Sequence, residues 1–116
     1  MIEESQAYLF KLQADICHTL ADQTRLMILH ELRSGEKSVG QLVSDLELPQ
    51  ANVSRHLAIL RERGVVFTRR EGTTIYYRLS SPKIAEACKL VREVLEDQLA
   101  RSQTLVRSIG VADMNA

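Results

Sequence analysis

The sequence has no long apolar run; the longest, such as Leu26 to Leu29, fall far short of the roughly 20 residues needed to cross a bilayer. It also lacks a basic, apolar leader. Met1-Ile2-Glu3-Glu4-Ser5 is acidic, so neither secretion nor membrane insertion is expected, and the expected location is the cytoplasm. Cysteine is scarce, with 2 in 116 residues, which excludes a disulfide-built scaffold and fits free thiols in a reducing compartment. There is no internal repeat, low-complexity tract or Gly-rich phosphate loop, no paired carboxylate site and no nucleophile with an obvious base. No enzyme and no cofactor are therefore expected. Net charge is lacking too, since 15 Lys and Arg balance 15 Asp and Glu. What remains is ordinary: 45% apolar and 26% charged residues, in a length that supports one domain over 1–116 with its own core.

The zero net charge hides an uneven distribution. Met1 to Ser54 holds four basic residues (Lys11, Arg25, Arg33, Lys37) against eight acidic ones. Arg55 to Arg78 holds six arginines, at 55, 61, 63, 69, 70 and 78, against only Glu62 and Glu71. A basic segment between acidic and neutral parts is the asymmetry of a local phosphate-facing surface.

Periodicity orders the chain. Leu9, Leu12, Ile16 and Leu20 predict a helix over 4–20, and Asp22 is placed to cap a second from Gln23 to Arg33. Leu42, Val43 and Leu46 mark a short helix over 39–47, Leu48-Pro49 a tight turn, and Val53, Leu57 and Leu60 a helix over 50–63 ended by Gly64. The period then changes. Val65 to Arg70 and Thr74 to Leu79 are β-branched and aromatic strands around the loop Glu71-Gly72-Thr73, with one of Tyr76 and Tyr77 expected to be buried. From Pro82 a stripe of Ile84, Cys88, Val91, Leu95, Leu99, Ser102, Val106 and Ile109 predicts a long helix over 82–109 with a near-3.5 repeat. A second copy of that helix is its natural partner. The order gives a mainly α chain with a β-hairpin wing: a winged helix-turn-helix, with the helix-turn-helix at 39–64, the wing at 65–79, and dimerisation through the first and last helices.

The inward set Val53, Leu57 and Leu60 turns Gln50, Asn52, Ser54 and Arg55 outward on the first half of their helix. Gln and Asn can bridge adenine, Arg can bridge guanine, and Ser with the helix N-terminus suits phosphate. A solvated helix face would carry similar residues. The preceding turn and the following Arg-bearing hairpin favour double-stranded DNA. His56 is a further candidate contact, with packing as its alternative role. In the wing, Arg69, Arg70 and Thr73 can reach the backbone or the minor groove.

Leu20-Ala21-Asp22-Gln23-Thr24-Arg25-Leu26-Met27-Ile28-Leu29, Ser38-Val39-Gly40-Gln41-Leu42, Asn52-Val53-Ser54-Arg55-His56-Leu57-Ala58-Ile59-Leu60-Arg61 and Arg70-Glu71-Gly72-Thr73-Thr74-Ile75-Tyr76-Tyr77-Arg78-Leu79 together resemble the ArsR/SmtB family of repressors. The resemblance runs from about Ile16 to Val94. It implies a homodimer that binds an imperfect palindromic operator and leaves it when an effector is sensed. Pro49 stands where the family commonly has Ser before the recognition helix.

The family's Cys-x-Cys metal site would fall on Ser38 and Gly40, and its other common site needs histidine on the last helix, which has none. No metal is expected at either place. Cys17 and Cys88 are left, on helices that the resemblance pairs at a dimer interface. They are either packing residues, a thiol switch, or a site for a thiophilic metalloid such as arsenite. A disulfide between them needs Cα atoms within about 7 Å. In family members that link an early-helix cysteine to a last-helix one, the pair would fall near His30 and Glu96. Two other functions stay open at this point: a winged-helix module used only for protein contact, and a constitutive repressor without a sensing site.

Overall fold

The computed structural model describes residues 2–108. The side chains of 104–106 and everything from Ile109 onward, hence the stripe positions Val106 and Ile109 and the tail after Gly110, lie outside the described residues. The elements are α1 (Glu4–Leu20), α2 (Gln23–Leu32), β1 (Lys37–Ser38), α3 (Val39–Leu46), α4 (Gln50–Glu62), β2 (Val66–Glu71), β3 (Thr74–Leu79) and α5 (Pro82–Ser108). They form two compact units divided between Ala85 and Glu86. Among the described residues no helix is long and apolar enough to cross a membrane.

The first unit is built on caps that the chain supplies locally. Asp22 accepts a hydrogen bond from the Arg25 amide (3.1 Å) and starts α2. Ser38 and Gln41 form a reciprocal capping box that starts α3. Glu47 ends α3 in the left-handed region, with φ at 54°. At the end of α4, Gly64 takes φ 73°, its amide donates to the Arg61 carbonyl (3.0 Å), and the Val65 amide donates to that of Leu60 (2.9 Å). That is a Schellman closure, and it turns the chain directly into β2.

The three-stranded antiparallel sheet has the order β1-β3-β2. β1 was not expected from the sequence; Lys37 and Ser38 pair with Tyr77 and Tyr76. The hairpin loop is shorter than expected, because Glu71 pairs with Thr74 and leaves only Gly72 and Thr73 as the turn. Gly72 at φ 62° in the first loop position, followed by Thr73 without a positive φ, is the backbone sign of a type II′ turn. Neither tyrosine is buried as expected. Both are half-buried, and the Arg69 guanidinium lies 4.7 Å from the centre of the Tyr76 ring.

The core is Ile28, Leu29 and Leu32 of α2, Leu42 of α3, Val53, Leu57 and Leu60 of α4, and Val65 and Val66 leading into β2. It fixes the roll of α4, and so decides which of its residues face outward. Leu57 is fully buried, so a Leu57→Ala protein is expected to lose about 2–5 kcal/mol in urea unfolding; a loss below about 1 kcal/mol would mean this face is not the core. Beside the core, Lys37 joins three elements, with Nζ 2.9 Å from Glu31 of α2 and 2.5 Å from Asp45 of α3. The bonds to Asp45 and then Glu31 raise the Lys37 pKa.

The second unit is the part of α5 from Glu86 onward. Its large apolar residues Leu90, Val91, Val94, Leu95 and Leu99 are all exposed in the single chain. α1 likewise exposes Tyr8, Leu9, Phe10, Leu12 and Ile16.

Candidate nucleic-acid interface

α4 begins without a side-chain cap, because Pro49 at that position has none to offer. The Pro49 carbonyl instead accepts from the Asn52 and Val53 amides, both at 3.1 Å. The positive end of the helix is therefore open to an anion from outside. With Val53, His56, Leu57 and Leu60 inward, Gln50, Ala51, Ser54, Arg55 and Ala58 form the exposed face. Asn52 lies at its edge, half-buried, and its Oδ1 accepts from Nη2 of Arg55 at 3.1 Å. Gln50, Asn52, Ser54 and Arg55 thus share the first half of one helix, as donors and acceptors of the kinds that read base edges and phosphates.

Of the two roles open to His56, DNA contact or packing, its exposure of only 5% fits packing, on the inner side of α4. The spacing 53-56-57-60 carries the signal, since those four positions fall on one face of a helix. Burial pushes the His56 pKa below its ordinary value, outweighing the opposing pull of Asp22. The unfolded chain therefore takes a proton here first as pH falls below about 6.5, and this group lowers stability in acid.

The wing places Arg69, Arg70 and Thr73 on exposed positions around the hairpin tip. The two arginines differ. Arg69 bonds Glu36 through Nη2 (2.5 Å) and Nε (3.2 Å), and Glu71 through Nη1 (2.9 Å). Those bonds raise its already high pKa, and the same contact holds the Glu36 carboxyl below its usual range. Arg69 thus has its charge matched within the chain and anchors the wing to the turn before β1. Among the described residues no carboxylate pairs with Arg70, whose charge is left for a partner. Nothing local in the sequence announces Glu36, which is 33 positions from Arg69.

Cys17 is exposed on α1 and Cys88 is half-buried on α5. Burial raises the Cys88 pKa, which favours its thiol form. His18 and His30 are exposed. Among the described residues no three His, Cys, Asp or Glu side chains gather as a metal ion would require.

The model of a family described as bacterial regulatory protein, arsR family, matches residues 22–67. The chain is 42% identical over 88 residues to an uncharacterized HTH-type transcriptional regulator of Mycobacterium tuberculosis, covering 75% of this chain and 77% of that one. It is 38% identical over 104 residues to the arsenical resistance operon repressor of Escherichia coli, covering 87% of each. Among solved structures, the homodimeric winged helix-turn-helix DNA-binding domain of a possible ArsR-family regulator from Mycobacterium bovis superposes with a TM-score of 0.76 at 31% identity. That match covers 86% of this chain and 93% of the other.

Proposed function

The chain belongs to the arsR family of bacterial regulatory proteins, and on that premise we propose that it acts as a homodimeric repressor on double-stranded operator DNA. Gln50, Asn52, Ser54 and Arg55 read sequence in the major groove, while Arg70, Thr73 and the open end of α4 hold phosphate. The helix-turn-helix at 39–64 and the wing at 65–79 are the DNA-facing parts, and the cytoplasm is where they work. The observation that carries this is the exposed polar half of α4, uncapped, rolled outward by a fixed core, with an unmatched Arg70 on the wing.

Selection of a duplex from a randomised library, followed by fluorescence anisotropy at several salt concentrations, tests it. Each phosphate neutralised by a Lys or Arg contributes about −0.9 to the slope of log affinity against log salt, so Arg70 alone gives roughly −2 in a dimer and any further cationic contact steepens it. Failure to enrich any sequence, together with no binding at low salt, would leave the winged helix as a protein-contact module. The same titration after treatment with an organic polysulfide addresses release through Cys17 and Cys88. Affinity lost on treatment but kept in Cys88→Ser assigns release to the thiols; unchanged affinity places the trigger elsewhere.

A further inference from the structure

His56 sits between the DNA-facing half of α4 and the start of α2. Its Nε2 lies 3.3 Å from Nη2 of Arg55. A guanidinium has donors and no acceptor, so Nε2 must accept and the ring proton must be on Nδ1. Buried Nδ1 has no hydrogen-bond partner among the described residues. It faces Oδ2 of Asp22 at 3.7 Å, the same carboxylate that caps α2. The Arg55 Nη2 that reaches His56 also donates to Asn52. One neutral ring thereby fixes the guanidinium along the helix beside the other residue suited to read a base.

We propose that His56 is a positioning residue for Arg55: neutral and protonated on Nδ1, it accepts from the guanidinium and holds it beside Asn52. On taking a solvent proton at Nε2, it releases the guanidinium. The imidazolium has two N–H donors and no acceptor, so the bond to Arg55 is lost and replaced by repulsion between two cations. Its Nδ1–H is at the same time drawn to the Asp22 carboxylate. The charged groups facing the ring are Asp22 and Arg25 from α2 and Arg55 from α4 itself. Acid therefore weakens selective readout through this one ring, and burial confines the effect to pH below about 6.5. The inference rests on the reading of Arg55 as a DNA contact.

The test measures the affinity of the full chain for the library-selected duplex and for an unrelated duplex of equal length. It compares wild type, His56→Gln and Arg55→Ala from about pH 7.5 down to the lowest pH at which circular dichroism shows the chain folded, at constant ionic strength. The selectivity ratio of wild type is expected to fall about tenfold in acid, within what one arginine–base pair contributes. His56→Gln offers an amide oxygen in place of Nε2 and cannot titrate, so it should keep its ratio within about twofold. Every group that the two proteins share cancels in the comparison. An equal fall in wild type and His56→Gln overturns the proposal. Full selectivity in Arg55→Ala at neutral pH would instead remove Arg55 from the DNA contacts, a separate failure seen in a separate protein. Should His56→Gln fail to fold by circular dichroism, the wild-type ring decides by nitrogen NMR. A proton on Nδ1 at neutral pH supports the proposal and a proton on Nε2 overturns it.

Discussion

Replacing Arg55 by alanine is expected to abolish most sequence selectivity while leaving most non-selective DNA affinity in place. A bidentate arginine–guanine pair discriminates by about 1–3 kcal/mol, or roughly 5- to 150-fold for each copy that makes it. Arg55 is exposed in the first half of α4 and is held to Asn52 by a 3.1 Å bond. The substitution removes that contact and also frees Asn52. Phosphate attraction from Arg70 and the open end of α4 persists, so the unrelated duplex should lose only a few-fold in affinity, about the share of one lost charge. Arg70→Ala should show the opposite signature: uniform weakening across sequences, with the salt slope about one unit shallower for each copy whose phosphate contact is lost. Arg69→Ala separates the two roles again, because that charge is already matched by Glu36 and Glu71 and its loss loosens the wing. Anisotropy on the selected and unrelated duplexes decides the matter. Equal selectivity in Arg55→Ala and wild type would sink the assignment of α4 as the reading helix.

What the sequence disclosed and what it hid follow from the range of the forces involved. Asp22 at the start of α2 and Gly64 after α4 act over three to five residues, so their residue types announce them. The roll of α4 was legible from Val53, Leu57 and Leu60 for the same reason. His56 occupies that inward face too, but a polar side chain between Arg55 and Leu57 mimics an outward residue until burial is known. β1 is two residues long, too short for any period, and exists because β3 offers it an edge. The partners of Lys37 and Arg69 come from elements joined only by the fold. Counting six arginines between 55 and 78 therefore overstates the free charge of that segment, since Glu36, which matches Arg69, lies outside that window.

The last large effect concerns assembly, and Leu95→Glu is the change expected to show it. α5 runs 27 residues from Pro82 to Ser108, about 40 Å at 1.5 Å per residue. Along it Val91, Leu95 and Leu99 repeat every four residues, flanked by Leu90 and Val94, and each is about half exposed or more in the single chain. Apolar area on this scale is covered in a stable protein, and in the proposed homodimer a second copy would cover it through a two-fold interface. Symmetry would then double the cost of any error, since one substitution puts a carboxylate into that apolar face on each of the two copies. The dimer should dissociate at micromolar concentration. Two half-sites would then be bound by separate molecules, without the effective concentration of about a millimolar that a linked partner provides. Operator affinity is expected to fall on the order of 100-fold or more, while the unfolding midpoint of the first unit, whose core is elsewhere, shifts far less. Sedimentation velocity with anisotropy on the selected duplex measures both quantities in one protein. A Leu95→Glu chain that stays dimeric and binds as wild type would place the seam on another surface, with the exposed apolar face of α1 the next to mutate.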